Sequence, residues 1–467
     1  MDETSSSLSE KGSERTGFEG PARALPKELN KENAGEIECS DAALFEGVKR
    51  FEELNLPEEL YKAIMSMGFF KPSKVQETII PVIFANPPRN AMVQSHSGTG
   101  KTTIFALAML YRVDKTNPAL QALCLAPSRE LAKQIVDVLN EMNQLTGIVI
   151  KEAVKEMNVR NGSKLDAQIV VGTPGTVMDF LQRRVLDPTQ VKVFVLDEAD
   201  NLLAQLEEHT SAVRAFIPKS AQLLFFSATW SDEFFAYGME LCGDRLATTV
   251  RLKSQELTLR GIRQCYIDCN GEAHKIEMLI ALYGLLTVAQ SMVFVRYKRM
   301  AEEIVDRMEA ENFAVAFLHG DLTGAQRDHI MRGFRDGKYK VLVSTNVLAR
   351  GIDVAQVNLI INVDLPINET RRVDPYIYLH RIGRTGRFGR NGVSIILVHD
   401  RASYDEMREM EKEFGCEILR VGTESFEILE ANLKAALKGS KKGGSKFGSV
   451  AGSVAGSEFG EGGISMV

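Results

Sequence analysis

The stretch Ala91-Met92-Val93-Gln94-Ser95-His96-Ser97-Gly98-Thr99-Gly100-Lys101-Thr102 decides the fold. Residues 91–94 read as a buried strand, residues 95–101 as a glycine-bearing loop and residues 102–111 as a helix. Strand, Gly-rich loop and helix in that order form the setting in which backbone N–H groups and a helix N-terminus cradle phosphate. Ser97, Gly98, Thr99 and Gly100 would line that cradle. Lys101 would reach the β- and γ-phosphates of a nucleotide, and Thr102 would offer its hydroxyl to Mg2+. Ser95 stands where the general motif has glycine. A plain glycine turn is the alternative, and the Gly-Lys-Thr ending argues against it.

Working outward, short apolar runs alternate with amphipathic stretches. Residues 122–126, 168–172, 191–196 and 223–227 read as further buried strands, and 130–142 and 176–182 as helices between them. A polar break with Gly261 spans 250–263, after which the rhythm restarts. Residues 291–295, 314–318, 341–344, 359–363 and 393–398 read as strands, with helices at 301–310, 324–334 and 401–413. Such alternation implies β-α-β crossovers and parallel sheets. The expected organisation is a disordered acidic N-terminal extension over 1–43, with a short helix near 41–49, and an α/β domain over 44–251. A linker over 252–262, a second α/β domain over 263–437 and a flexible Gly/Ser-rich tail over 438–467 complete it. Ligands of open α/β sheets bind at the carboxyl ends of the strands, so a cleft between the domains is the natural site.

Composition narrows the function classes. The chain has 467 residues, a net charge of −6 and 44% apolar residues, enough for real cores and too acidic to coat nucleic acid by bulk charge. Six cysteines without C-x-x-C spacing argue against a disulfide scaffold or a zinc site. No apolar leader and no run long enough for a membrane span is read, so a soluble intracellular protein is expected.

A second motif completes the phosphate site. The apolar residues Val193 to Leu196 deliver Asp197-Glu198-Ala199-Asp200 to a strand's carboxyl end. There Asp197 would hold Mg2+, and Glu198 would orient and deprotonate an attacking water. In the second half, Arg381, Arg384 and Arg387 recur every three residues, a spacing that predicts one shared helical face seeking an anionic partner.

Asp-Glu-Ala-Asp with this P-loop resembles the DEAD-box RNA helicases of superfamily 2. The resemblance runs in order along the chain. Gly68-Phe69-Phe70-Lys71-Pro72-Ser73-Lys74-Val75-Gln76 is similar to the family's Q motif, with Phe51 as the upstream aromatic. Pro127-Ser128-Arg129-Glu130-Leu131-Ala132 resembles motif Ia, Thr173-Pro174-Gly175 motif Ib and Ser227-Ala228-Thr229 motif III. Phe294-Val295 stands where motif IV lies, Ser344 to Asp353 resembles motif V, and His380 to Arg387 resembles motif VI. The family implies two tandem RecA-like domains that bind ATP and Mg2+ between them and hydrolyse ATP when RNA is bound, remodelling RNA or ribonucleoprotein locally.

Carried onto this chain, the resemblance implies that Gln76 reads the adenine edge while Phe51 and Lys71 sandwich the base. An isolated aromatic is more often core, and the family-like spacing is what assigns Phe51 to the base. Gly351 and Asp353 would contact the ribose side of the nucleotide. Arg384 and Arg387 would be arginine fingers, and Ser227, Thr229 and His380 would couple nucleotide state to domain contact. Arg129, Thr173, Gly175, Arg296 and Thr345 would hold the RNA backbone, with Lys298 as a further candidate. Departures from the family include Gly324 in place of a glutamine before Arg327, Asn346 in motif V and Thr176 after Thr-Pro-Gly.

Asn86-Pro87-Pro88-Arg89-Asn90, Thr176 and the insertion over 368–376 are similar to the mRNA-export members that act at the cytoplasmic face of the nuclear pore. That subgroup implies a monomer in cytoplasm and nucleus, with nuclear-pore proteins and an inositol-hexakisphosphate-bound activator as partners. A translation-initiation-type helicase and a non-catalytic ATP-gated RNA clamp are the alternatives.

Overall fold

The strand Asn90–Gln94 is buried at every position because helices cover both faces of its sheet. The same holds for Ala122–Leu125, Ile169–Gly172, Val193–Asp197 and Gln222–Ser227, which is why their sequences are continuous apolar runs without alternation. This computed structural model describes residues 37–40, 47–95, 99–155, 157, 159, 163–229, 231–243, 247–252, 261–285, 290–345, 357–368, 370–386 and 392–422.

The first sheet has the order Ile37–Cys39, Ala247–Leu252, Asn90–Gln94, Gln222–Ser227, Val193–Asp197, Ala122–Leu125, Ile169–Gly172, Ile150–Ala153. All pairings are parallel except that of Ile37–Cys39, which runs antiparallel to Ala247–Leu252. The second sheet runs Val315–Leu318, Val341–Ser344, Gln290–Phe294, Val357–Asn362, Gly392–Val398, Ile262–Asp268, Leu419–Arg420, all parallel. Two tandem RecA-like α/β layers result, as the alternation implies.

Two elements depart from the expectation. The polar break over 250–263 contains the end of one strand and the start of another. Thr248, Thr249, Arg251, Arg263 and Gln264 mask the apolar pattern there. The segment Ile37–Cys39, expected in the disordered extension, instead pairs along the sheet edge, with Ser40 N–H donating to the Thr249 carbonyl at 3.0 Å. Three residues are too short for a periodicity signal, and the free edge of Ala247–Leu252 supplies the hydrogen bonds. Of the expected helix over 41–49, residues 47–49 are coil and 41–46 lie outside the described residues. Among the described residues no helix is long and apolar enough to cross a membrane.

Candidate nucleotide and interdomain site

Register brings the phosphate site together. Asn90–Gln94, Gln222–Ser227 and Val193–Asp197 are neighbours, with Gln94 opposite Ser227 and Asp197 opposite Phe226. Their carboxyl ends therefore set the phosphate loop, Ser227 and Asp197 side by side. Lys101, the first residue of helix Lys101–Arg112, donates its ammonium to the Ser95 carbonyl and, at 3.5 Å, to that of Ser227. Ser95 and Thr99 share a hydroxyl hydrogen bond of 2.9 Å across the loop. Ser97 and Gly98 lie outside the described residues.

The helix Lys74–Ile83 clamps this loop from outside. Ser73 caps it, and the Gln76 carboxamide accepts the Ser73 N–H at 2.8 Å while donating to the Gly100 carbonyl at 3.2 Å. Gly100 has φ +85°, a left-handed conformation that favours glycine, and a Cβ there would press on the Gln76 amide nitrogen and displace it. Gln76 is thus the tie between the two motifs. Lys71 is exposed. Phe51 is 1% exposed and belongs to the core with Leu60, Ile64 and Ile79. Hydrophobic burial therefore accounts for the ring without a ligand. The aromatics bordering the Gln76 segment are Phe69, half-buried, and Phe70, 66% exposed.

Asp197 is buried and accepts the Glu198 N–H at 3.0 Å. Burial first, and the neighbouring Glu198 charge second, push its carboxyl up to about 7, against the pull of Lys101. A carboxylate so destabilised suits a cation: Asp197 with the Thr102 hydroxyl and phosphate oxygens is the kind of sparse protein ligand set that Mg2+ takes. Glu198 itself sits at φ 49°, ψ 49°, a left-handed conformation held by a non-glycine residue at the N-cap of helix Ala199–Gln205.

Asp200 joins the domains. Its Oδ2 receives the Thr229 hydroxyl from its own domain and lies 3.2 Å from His380 Nε2 of the other. Thr229 N–H is fixed by Ser227 Oγ at 3.0 Å, so two of the expected coupling residues, Thr229 and His380, meet on one carboxylate and the third, Ser227, holds Thr229. Arg384 follows the same helix end. Its Nε donates to the His380 carbonyl at 2.9 Å, and Nη2 is 4.0 Å from Glu198 Oε1.

Arg381 and Arg384 do not share the helical face expected of them. Helix Pro375–Ile382 ends before Arg384, and Arg381 is buried in the second domain. Arg381 Nη1 donates to Asn362 Oδ1 at 3.0 Å and to the Asp364 carbonyl at 2.7 Å, and the guanidinium stacks 4.9 Å from the Phe294 ring centroid. Burial pushes its pKa down to about 9. Arg387, Gly351 and Asp353 lie outside the described residues.

Among the residues assigned to RNA, Thr173 sits at the N-cap position of helix Pro174–Gln182, whose first turn holds Gly175, and Thr345 follows strand Val341–Ser344. Two others face protein. Arg296 donates to the Leu365 carbonyl at 3.1 Å and to Glu406 at 3.2 Å, and its N–H is held by Asp364, so its guanidinium braces the second domain. Arg129 grips Asp328 across the cleft through 3.0 and 2.8 Å hydrogen bonds. Lys298 is ion-paired with Asp321 at 2.6 Å. Sequence reasoning missed Asp200 as the junction and Asp328 altogether; Asp200 was visible in the motif, whereas Asp328 carries no local signal.

Residues 73–235 match the DEAD/DEAH box helicase family and residues 274–389 the helicase conserved C-terminal domain. The ATP-dependent RNA helicase dbp5 of Schizosaccharomyces pombe is 53% identical over 389 residues, 83% of this chain and 77% of the relative. The solved S. cerevisiae Dbp5 bound to RNA and ADP BeF3 is 44% identical with a TM-score of 0.80, covering 84% of this chain and all (100%) of that one. S. cerevisiae Dbp5 bound to Nup159, Gle1, IP6 and ADP is 41% identical with a TM-score of 0.61, covering 82% and 100%.

Proposed function

The chain belongs to the DEAD-box ATP-dependent RNA helicases, and we propose from that premise that it uses RNA-stimulated ATP hydrolysis to separate short duplexes or displace proteins in mRNA export. The observation that carries the reading is the junction at Asp200, where Thr229 and His380 of different domains meet one carboxylate. A nucleotide site shared by two domains couples hydrolysis to their separation, because ATP and RNA each favour the closed arrangement and each raises affinity for the other.

In this reading the first domain spans 44–251 and the second 263–437. Lys101 and the loop around Thr99 and Gly100 bind the phosphates, with Ser97 and Gly98. Gln76 and Lys71 border the base. Mg2+, held by Asp197 and Thr102, would neutralise developing phosphate charge. Glu198 takes the proton of the attacking water; its left-handed backbone aims the carboxylate across the cleft toward Arg384. Arg384 and Arg387 stabilise the transition-state charge, and Gly351 and Asp353 contact the ribose. Thr173, Gly175 and Thr345 hold the RNA backbone through N–H and hydroxyl donors.

The assignment to export is supported by the Dbp5 relatives, one of them solved with Nup159, Gle1 and IP6. On that reading the chain works, as a monomer in cytoplasm and nucleus, at the cytoplasmic face of the nuclear pore, with pore proteins and an inositol-hexakisphosphate-bound activator as partners.

The test is Glu198→Gln. The amide keeps the shape but cannot accept the water proton, so ATP and RNA binding are retained and phosphate release is lost. Near-normal phosphate release sinks the assignment.

A further inference from the structure

Helix Glu272–Leu285 of the second domain carries a lysine on the side that faces the core. Lys275 is 1% exposed and shares the buried side of the helix with Ile276, Leu279 and Leu282. An ammonium is desolvated there only at a cost, so its partners must be well placed. Lys275 Nζ donates to the Val363 carbonyl at 2.8 Å and to Asp364 Oδ1 at 3.0 Å. It also lines a cavity of about 90 Å³ with Arg296, His399, Ser403 and Glu406, which gives its third N–H a polar outlet. The other Asp364 oxygen accepts the Arg296 N–H at 3.0 Å. Burial pushes the Asp364 carboxyl up, but Lys275 and the Arg296 N–H more than offset this and hold it below its ordinary range. The same segment receives Arg381, whose Nη1 donates to the Asp364 carbonyl at 2.7 Å and to Asn362 Oδ1 at 3.0 Å.

We propose that Lys275 is a positioning residue for RNA-stimulated ATP hydrolysis: by fixing Val363 and Asp364 it fixes Arg381, and through Arg381 the helix that presents His380 and Arg384 to the first domain. The inference rests on the helicase reading and deepens it. Arg381 and His380 are neighbours in helix Pro375–Ile382, and Arg384 Nε donates to the His380 carbonyl at 2.9 Å. Close packing leaves a buried guanidinium little room to adapt, so a shift of the segment it grips is passed to the helix. At the far end, His380 Nε2 is 3.2 Å from Asp200 Oδ2 and Arg384 Nη2 is 4.0 Å from Glu198 Oε1. A displacement of about 1 Å at such groups costs roughly 10²-fold in rate. Well-packed apolar residues in place of a buried ion pair are often neutral or stabilising, so stability alone does not account for a lysine here. What it orients does.

The test uses the full chain with oligo-uridylate as RNA and reads phosphate release, melting temperature and the Kd of a fluorescent ATP analogue. Lys275→Met leaves the Asp364 carboxylate buried without its cation. It should melt roughly 5–20 °C lower and lose roughly 10- to 100-fold in RNA-stimulated kcat, with the Kd for the analogue unchanged. Lys275→Met combined with Asp364→Asn removes the stranded charge. Its melting temperature should return close to that of the wild type while kcat stays low by roughly 10-fold or more. The double variant is also the one to read if the single variant fails to fold. Recovery of kcat together with melting temperature overturns the proposal, because the lysine would then serve stability alone. A Kd that weakens as much as kcat falls overturns it too, because the damage would then have reached the first domain. A wild-type chain without RNA-stimulated phosphate release refutes the helicase reading and the proposal with it, whereas wild-type kcat in the double variant refutes the positioning role alone.

Discussion

Replacing Phe51 separates a core ring from a base-stacking ring by sign and by size. The side chain is 1% exposed and sits in the core that also holds Leu60, Ile64 and Ile79. Full burial of a phenylalanine removes roughly 200 Å² of apolar area from water, which at about 25 cal/mol per Å² is about 5 kcal/mol. Alanine keeps part of this and the cavity relaxes in part, so Phe51→Ala should cost about 3–5 kcal/mol. Trp230 is the chain's single tryptophan and belongs to the first half of the sequence, so its fluorescence reports urea unfolding of that domain. The midpoint should fall by roughly 1–2 M for a slope of about 2–3 kcal/mol per M. Phe51→Leu keeps most of the packing and should cost about 1 kcal/mol, with ATP affinity unchanged. If the ring stacked on adenine, the pattern would invert. Phe51→Leu would then weaken nucleotide binding by roughly 1–3 kcal/mol, the scale of base stacking on an aromatic, with stability almost unaltered. That inverted pattern refutes the burial argument.

Three further outcomes are expected. Asp197 carries a carboxyl pushed up to about 7 by burial and by Glu198, so the folded chain without nucleotide binds a proton that the unfolded chain has released from about pH 4 upward. Stability should therefore fall as pH rises through that window. Asp197→Asn should abolish this slope in thermal melts from pH 4.5 to 8 and melt higher than wild type at pH 8, while losing turnover. Arg384→Ala should lower RNA-stimulated hydrolysis by about 10³ with ATP binding to the first domain intact, and Arg384→Lys should recover little, because an ammonium cannot copy the planar fork; phosphate release and a nucleotide titration check both. Gly100→Ala forces a φ of +85° on alanine and drives its Cβ against Gln76. It should cost about 1–2 kcal/mol of stability in urea unfolding and raise the Kd for ATP.

Local chemistry was readable without coordinates. Continuous apolar runs of four to six residues, too short for a helix and alternating with amphipathic stretches, point to parallel strands covered on both faces. A glycine loop ending in Lys101 and Thr102, and two carboxylates at a strand's end, state their chemistry through spacing along one or two elements. Those features needed only neighbours in sequence. Which surface each longer side chain reaches was decided by the tertiary structure. Phe51 went to the core. Arg381 turned inward onto Asn362 and Phe294 while Arg384, past the helix end, turned toward Glu198. Arg296 closed on Glu406, and Ile37–Cys39 found a sheet edge more than two hundred positions away. Arg129 shows the reason most plainly. Its type and position call for an anion, and RNA phosphate and a carboxylate satisfy that demand equally well in sequence. Only the packing of two domains brings Asp328 to within 2.8 Å.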